Sequence, residues 1–137
     1  MRTAVDSSVL LDVFGADRVF GQRSREALRA AYDGGALVAC EIVWAEVRAH
    51  FTSEESLGES LALLGIQFDP ISQEAARLAG RLWRQHRARN VAARQRLIPD
   101  FLVGAHGRVQ ADALLTRDRG FYRRYFTGLR LIDPSKG

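Results

Sequence analysis

The sequence is poor in cysteine, in lysine and in long apolar runs, and each shortage excludes a class of protein. Its 137 residues contain a single cysteine, Cys40, which can form neither an internal disulfide nor a cysteine-rich zinc site. No stretch approaches the roughly 18 apolar residues that a membrane span needs. The polar pair Asp6 and Ser7 follows Met1 too closely for the charged and then apolar order of a signal peptide. We therefore expect a cytoplasmic protein with no membrane segment.

Two further classes lack the residues that their chemistry needs. A dinucleotide-binding domain requires a glycine-rich turn after its first strand, and no such turn follows Val5. Aspartate-based phosphatases and phosphoacceptor domains tend to carry a second acid two residues after the first and a lysine beside the phosphate. Here Ser8 stands two residues after Asp6, and the only lysine, Lys136, lies in the C-terminal tail. Both classes are therefore poor matches to this sequence.

The order of apolar runs and turn residues predicts an α/β fold. Strands are predicted at 3–5, 36–39, 66–68, 113–116 and 129–132. Helices are predicted at 8–14, 22–32, 41–51, 53–64, 72–89, 99–109 and 121–126. This alternation indicates a mostly parallel central sheet flanked by helices on both faces. The length is that of one domain, so we expect a single domain over residues 1–137.

Four acids stand where such a sheet places functional residues, beyond the carboxyl ends of its strands. Asp6 ends the first strand, and Asp118 follows the strand that ends at Thr116. Asp100 lies at the head of a helix. Glu46 is predicted on the inward stripe of its helix, where an acid is unusual. We therefore expect these four side chains to be candidates for one acidic site.

Clustered carboxylates without a Cys or His ligand set favour a hard cation, Mg²⁺ or Mn²⁺. Such a site would support metal-assisted attack of water on a phosphodiester. Each acid also has a structural interpretation. Asp6 and Asp100 could cap helices, Asp118 could form a turn, and Glu46 could face solvent. The residues alone leave both interpretations open.

The basic residues are concentrated in one segment. Between Ala75 and Pro99 the chain carries seven arginines and no acid, whereas the net charge of the whole chain is +4. These residues are Arg77, Arg81, Arg84, Arg87, Arg89, Arg94 and Arg96. A planar guanidinium matches a phosphate group, so the segment suits a polyanion. A solvated helix surface is the alternative that the sequence leaves open.

Four segments resemble the PIN-domain ribonucleases and, among them, the VapC toxins of toxin–antitoxin pairs. In chain order they are Ala-Val-Asp-Ser-Ser-Val-Leu-Leu-Asp, Ile-Val-Trp-Ala-Glu-Val, Ile-Pro-Asp-Phe-Leu-Val-Gly-Ala-His and Ala-Leu-Leu-Thr-Arg-Asp-Arg-Gly-Phe. The resemblance extends over essentially the whole chain and keeps the order of the segments. It supports the α/β fold with a PIN-like topology.

The resemblance implies an endoribonuclease that depends on Mg²⁺ or Mn²⁺. Its catalytic and metal-binding acids would be Asp6, Glu46, Asp100 and Asp118. It places two supporting hydroxyls beside them, those of Ser7 and Thr116. It also implies an RNA substrate, and it implies a homodimer with a VapB-like antitoxin as partner. From the basic segment we predict that Arg81, Arg84 and Arg87 contact the phosphates of that RNA.

One departure from the resemblance concerns Gly120. Many relatives carry a further acid at this position, two residues after Asp118, so this chain has fewer ligands for a second metal ion. Two other functions remain open. A non-catalytic RNA-binding module would keep the arginines without needing Glu46, and a PIN nuclease could act in RNA processing outside a toxin–antitoxin pair.

Overall fold

A parallel sheet of five strands forms the centre of the computed structural model, which describes residues 1–89 and 97–136. The strands are β1 (Arg2–Val5), β2 (Ala36–Ala39), β3 (Ile66–Phe68), β4 (Ala113–Leu115) and β5 (Arg130–Ile132). Their order across the sheet is β3-β2-β1-β4-β5, and each neighbouring pair is parallel. The predicted α/β class is therefore confirmed.

Helices connect the strands in the predicted order. They are α1 (Ser7–Phe14), α2 (Gly21–Asp33), α3 (Glu41–Arg48), α4 (Glu54–Leu64), α5 (Gln73–Arg89), α6 (Ile98–Gln110) and α7 (Arg119–Tyr125), followed by a short 3-10 helix (Pro134–Lys136). Because parallel crossovers are right-handed, the connections on the two sides of β1 place their helices on opposite faces of the sheet. The largest difference from the predicted boundaries is α3, which ends three residues before the predicted Phe51.

Local capping residues explain several of these boundaries. The Ser53 hydroxyl accepts the backbone N–H of Ser56 at 3.1 Å and begins α4. Gly65 ends the same helix in the left-handed region, with φ 71°, which a side chain would strain. The Ser72 hydroxyl accepts the backbone N–H of Ala75 at 3.1 Å and begins α5.

The strand order reverses at β1, and this places two strand ends side by side. The chain runs from β1 outward through β2 to β3, and then crosses to β4 and β5 on the other side. Val5 is in register with Leu115, so β1 and β4 end at the same level. In parallel sheets the functional crevice lies at this kind of reversal, beyond the carboxyl ends of the strands.

The core lies on both sides of the sheet and extends into an aromatic cluster. Phe101 of α6 packs edge-on against Phe121 at a centroid distance of 5.1 Å, and Phe126 is 3% exposed. Among the helices of the described residues, none combines the length and the apolar character of a membrane span.

Gly104 of α6 provides a test of this packing. A Cβ atom at Gly104 would overlap the buried Phe126 ring, so Gly104→Ala should destabilise the fold by about 1–3 kcal/mol through overpacking. Gly80 of α5 is the matched control, because a Cβ there meets no atom within 4 Å. Gly80→Ala should stabilise the protein by about 0.5–1 kcal/mol. Urea denaturation measures both, and an equal gain in the two variants would contradict the packing of α6 against Phe126.

Candidate functional site

Asp6 lies at the reversal of strand order, directly after β1. Its backbone N–H donates to the Leu115 carbonyl at 3.0 Å, and the residue is 9% exposed. The Thr116 hydroxyl donates to Asp6 Oδ2 at 2.8 Å, and the Ser8 hydroxyl donates to the same oxygen at 3.4 Å. Although Asp6 is the N-cap residue of α1, its side chain makes no capping hydrogen bond. Asp6 thus occupies the N-cap position that its structural interpretation predicts, but its carboxyl group is bound by the Thr116 and Ser8 hydroxyls.

The surroundings of Asp6 disfavour its charge. Burial raises the pKa of Asp6 to about 6, while hydrogen bonds from the Thr116 hydroxyl and the Ser7 backbone N–H act to lower it. The negative charges of Glu46 and Asp118 raise it further. The fold thus brings these two acids within electrostatic reach of Asp6.

Glu46 reaches the site from the rim. The side chain is exposed on α3, while its neighbours Val43 and Val47 are buried, so the expectation that Glu46 lies on the inward stripe is wrong. Val43 and Val47, four residues apart, form the buried stripe, and Glu46 lies beside it. The Ser7 hydroxyl donates to Glu46 Oε1 at 2.9 Å and joins this acid to the start of α1.

Thr116 connects Asp6 with Asp118. Thr116 is fully buried, and its hydroxyl both donates to Asp6 and accepts the Asp118 backbone N–H at 3.0 Å. Asp118 is half-buried at the start of α7, and its side chain does not cap that helix. The hydroxyl therefore lies between the two acids, where it fixes the direction of both chain segments.

Asp100 lies in the first turn of α6 and is half-buried. Leu97 is the N-cap residue of this helix, so the interpretation of Asp100 as a cap is wrong. α6 contacts both β1 and α3, the elements that lead to Asp6 and carry Glu46. Asp100 thus belongs to a helix that packs against these two elements.

An ion pair beside the site was missed by the sequence analysis. Arg117 Nε and Nη2 donate to the two oxygens of Asp12 at 2.7 and 2.9 Å, and the Ser24 hydroxyl also donates to Asp12 at 2.9 Å. The Asp12 side chain is 5% exposed. The available signal was an acid between Leu11 and Val13, within an otherwise apolar stretch of α1.

A second paired carboxylate, Asp69, follows β3 and is half-buried. Asp69 Oδ2 lies 2.8 Å from His106 Nε2, 2.9 Å from Arg2 Nη2 and 3.2 Å from Gln110 Nε2. His106 is 1% exposed, and this pairing fastens α6 to the segment that follows β3. His106 therefore has a structural role, because it binds Asp69 from within the core.

The predicted arginine surface is exposed along α5. Arg81, Arg84 and Arg87 are all exposed, and the Arg87 guanidinium lies 4.7 Å from the centre of the Trp83 ring. Arg94 and Arg96 lie outside the described residues, as does the side chain of Arg89.

The donor atoms of the site suit a hard cation that retains water. Within residues 1–89 and 97–136, no three His, Cys, Asp or Glu side chains converge closely enough to hold a metal ion. Mg²⁺ commonly binds proteins through one or two carboxylates and keeps several waters. Asp6 with a neighbouring carboxylate fits that mode of binding, and it does not fit an ion that needs a closed protein shell.

Comparison with known families decides what kind of domain this is. A family model described as PIN domain matches residues 3–127. The chain belongs to the PIN-domain family. The predicted resemblance is therefore confirmed at the level of the family. No curated protein sequence matches this PIN domain.

Several solved structures share its fold. A chain of VapBC2 from Rickettsia felis, bound to a DNA fragment from its promoter, matches with TM-score 0.74 and 14% identity over 97% of this chain and 98% of that chain. A toxin–antitoxin complex from Klebsiella pneumoniae matches with TM-score 0.68 and 21% identity over 96% of this chain and 97% of that chain. VapC20 from Mycobacterium tuberculosis, a toxin that cleaves the sarcin-ricin loop, matches with TM-score 0.62 and 12% identity over 93% of this chain and 98% of that chain. At these identities the likeness is one of fold.

The raised pKa of Asp6 predicts how stability depends on pH. Because the folded-state pKa of about 6 exceeds the ordinary aspartate value of 3.8, folding is penalised as the pH rises from about 4 to about 6, and the penalty is complete above that range. Asp6→Asn removes it. In chelator, the stability of this variant relative to wild type should rise by on the order of 3 kcal/mol between pH 4 and pH 7, measured by urea denaturation.

Asp17→Asn serves as the control of opposite sign. Hydrogen bonds from the backbone N–H groups of Phe20 and Val19 lower the pKa of the exposed Asp17 carboxyl, so its charge stabilises the fold above the acid range. This variant should lose stability relative to wild type as the pH rises. A pH-independent difference between Asp6→Asn and wild type would show that the Asp6 carboxyl is not crowded or desolvated.

Proposed function

We propose that this PIN domain is a divalent-metal-dependent endoribonuclease and the toxin of a toxin–antitoxin pair. The observation that carries the proposal is the buried Asp6 at the reversal of strand order, where Glu46 and Asp118 both act against its charge. A carboxylate group whose members repel one another is stabilised by a bound cation. Nucleases of the PIN family generally use divalent metal ions, and oxygen-only donors favour Mg²⁺ or Mn²⁺.

The residues of the site have separate roles in this proposal. Asp6 and Asp118 would hold the cation, with Glu46 and Asp100 at the edge of the same site. When bound, a divalent cation supplies a water of lowered pKa and neutralises charge on the phosphodiester. The Thr116 hydroxyl fixes the orientation of Asp6, and the Ser7 hydroxyl fixes that of Glu46. Both hydroxyls thus restrict carboxylates that would otherwise rotate away from one another.

The direct test is the loss of metal-dependent cleavage in Asp118→Asn. The purified wild type should cut a mixed RNA pool with Mg²⁺ or Mn²⁺ and stop in excess chelator. Asp118→Asn should lose at least a hundredfold in rate, because the amide keeps the shape of the side chain but not its charge. It should also show a smaller rise in melting temperature on addition of Mg²⁺, since the ion then binds the native state more weakly. Gel assays of cleavage and thermal melts measure the two effects.

The same pair of proteins tests the alternatives. RNA binding without cleavage in the wild type would support the non-catalytic module and contradict the nuclease. Cleavage that continues in excess chelator would contradict the metal mechanism. Induced expression of the wild type should arrest growth, and Asp118→Asn should not. Active enzyme that leaves growth unchanged would favour a role in RNA processing over a toxin.

The partners proposed here follow the structural relatives. Relatives in fold include VapBC complexes and a toxin–antitoxin complex. We therefore include a VapB-like antitoxin in the proposal for this chain. The homodimer is proposed from the family resemblance alone. RNA is the proposed substrate, and VapC20 is a relative in fold that cleaves RNA at the sarcin-ricin loop.

The exposed arginines of α5 are proposed to contact RNA phosphates. Replacing Arg81, Arg84 and Arg87 with Ala should weaken binding to unrelated single-stranded RNAs and reduce the salt slope by about 0.7 per lost contact. The matched control is the triple Ala variant of Arg18, Arg25 and Arg29, which are also exposed. This variant removes the same amount of positive charge, but from the region of α2. Fluorescence anisotropy in chelator at several salt concentrations measures the slopes. Equal slopes in the two triple variants would show that α5 has no specific role.

A further inference from the structure

Successive residues of the loop between β4 and α7 have different partners. Thr116 donates its hydroxyl to Asp6, and the Asp118 charge acts on the same carboxyl group. Arg117, between them, binds Asp12 of α1. A single loop therefore carries two residues of the proposed site and, between them, one residue that α1 holds through Asp12.

The contact between Arg117 and Asp12 is well formed. Two parallel hydrogen bonds of 2.7 and 2.9 Å join the guanidinium to both carboxylate oxygens, and Ser24 donates a third bond of 2.9 Å. The guanidinium carbon lies 4.1 Å from the centre of the Phe20 ring. A bidentate pair of this kind fixes direction as well as distance. Removing one partner leaves a buried charge uncompensated.

α1 links this pair to the rest of the site. Ser7, at the start of the helix, donates to Glu46, and Asp12, in its second turn, binds Arg117. One short helix thus sets the positions of Glu46 on one side and of the loop carrying Asp118 on the other.

We infer that Asp12 and Arg117 are positioning residues for the carboxylate site. Their ion pair keeps Thr116 and Asp118 against Asp6, and it keeps the Arg117 charge directed away from the carboxylates. The inference rests on the proposed function, since it assigns the pair a role in binding the cation. Without Asp12, the guanidinium next in sequence to Asp118 is drawn toward the acidic site, where it competes with Mg²⁺.

The experiment compares Asp12→Asn, Arg117→Gln and the double variant with wild type by two readouts. The first is the Mg²⁺ concentration that gives half of the rise in melting temperature. The second is the hydrogen-exchange rate of the Asp118 backbone N–H in chelator, which reports the bond to Thr116 without any metal. Asp12→Asn should raise the half-point Mg²⁺ concentration at least tenfold and accelerate the exchange of the Asp118 N–H at least tenfold. In the double variant, neither the Mg²⁺ half-point nor the exchange rate should exceed its value in Asp12→Asn, because the two residues act as one unit.

Asp69→Asn is the matched control. It removes a largely buried carboxylate that also has three partners, none of them in the loop 116–118. It should lower the melting temperature while leaving the Mg²⁺ half-point and the Asp118 exchange rate as in wild type. If Asp12→Asn does not fold, Arg117→Lys supplies the same comparison, since it keeps the charge but cannot form the two parallel bonds.

Two results would overturn the inference. One is a folded Asp12→Asn variant with wild-type values for both readouts. The other is an equally strong change of both readouts in Asp69→Asn and Asp12→Asn. That result would show that the pair of Asp12 and Arg117 contributes only to the general stability of the fold. A wild type without any response to Mg²⁺ would instead overturn the proposed function, and the exchange rates would still decide whether Asp12 holds the loop.

Discussion

The structure depends on placing the Asp6 carboxyl group in the crevice between the ends of β1 and β4. Like charges repel by about 1 kcal/mol at 4 Å in water and by about 4 kcal/mol where the effective dielectric constant is near 20. Burial adds to this penalty and raises the pKa of Asp6 to about 6. Such an arrangement costs stability, and in the proposed function a bound cation would offset that cost.

The surrounding contacts explain how the fold keeps the acids together despite their repulsion. The Thr116 hydroxyl lies between Asp6 and the Asp118 backbone N–H, and the Ser7 hydroxyl binds Glu46. Each contact fixes a carboxylate or its loop without adding a competing positive charge. Of the two arginines that flank Asp118 in sequence, Arg117 is bound by Asp12 and Arg119 pairs with Asp133. The contacts that fix the acids are thus made by hydroxyl groups, which is the arrangement that the proposed metal binding requires.

Much of this arrangement could be predicted from the sequence because it depends on local order. Apolar runs and capping residues such as Ser53 and Gly65 determine where elements begin and end, and the placement of Asp6 and Asp118 after strands follows from that order. The exposure of Glu46 could not be predicted, because it depends on how α3 is rotated against its neighbours. The pair of Asp12 and Arg117 joins residues 105 positions apart, and periodicity along the chain carries no signal for such a contact.

The most direct measurement of the central claim is the position of a bound metal ion. Crystals of the wild type soaked with Mn²⁺ should show an anomalous scattering peak within ligand distance of the Asp6 carboxylate, on the side toward Asp118. Crystals of Asp6→Asn treated in the same way should lack that peak. A clear Mn²⁺ peak elsewhere on the molecule, with none at Asp6, would contradict the assignment of this carboxylate site as the metal centre.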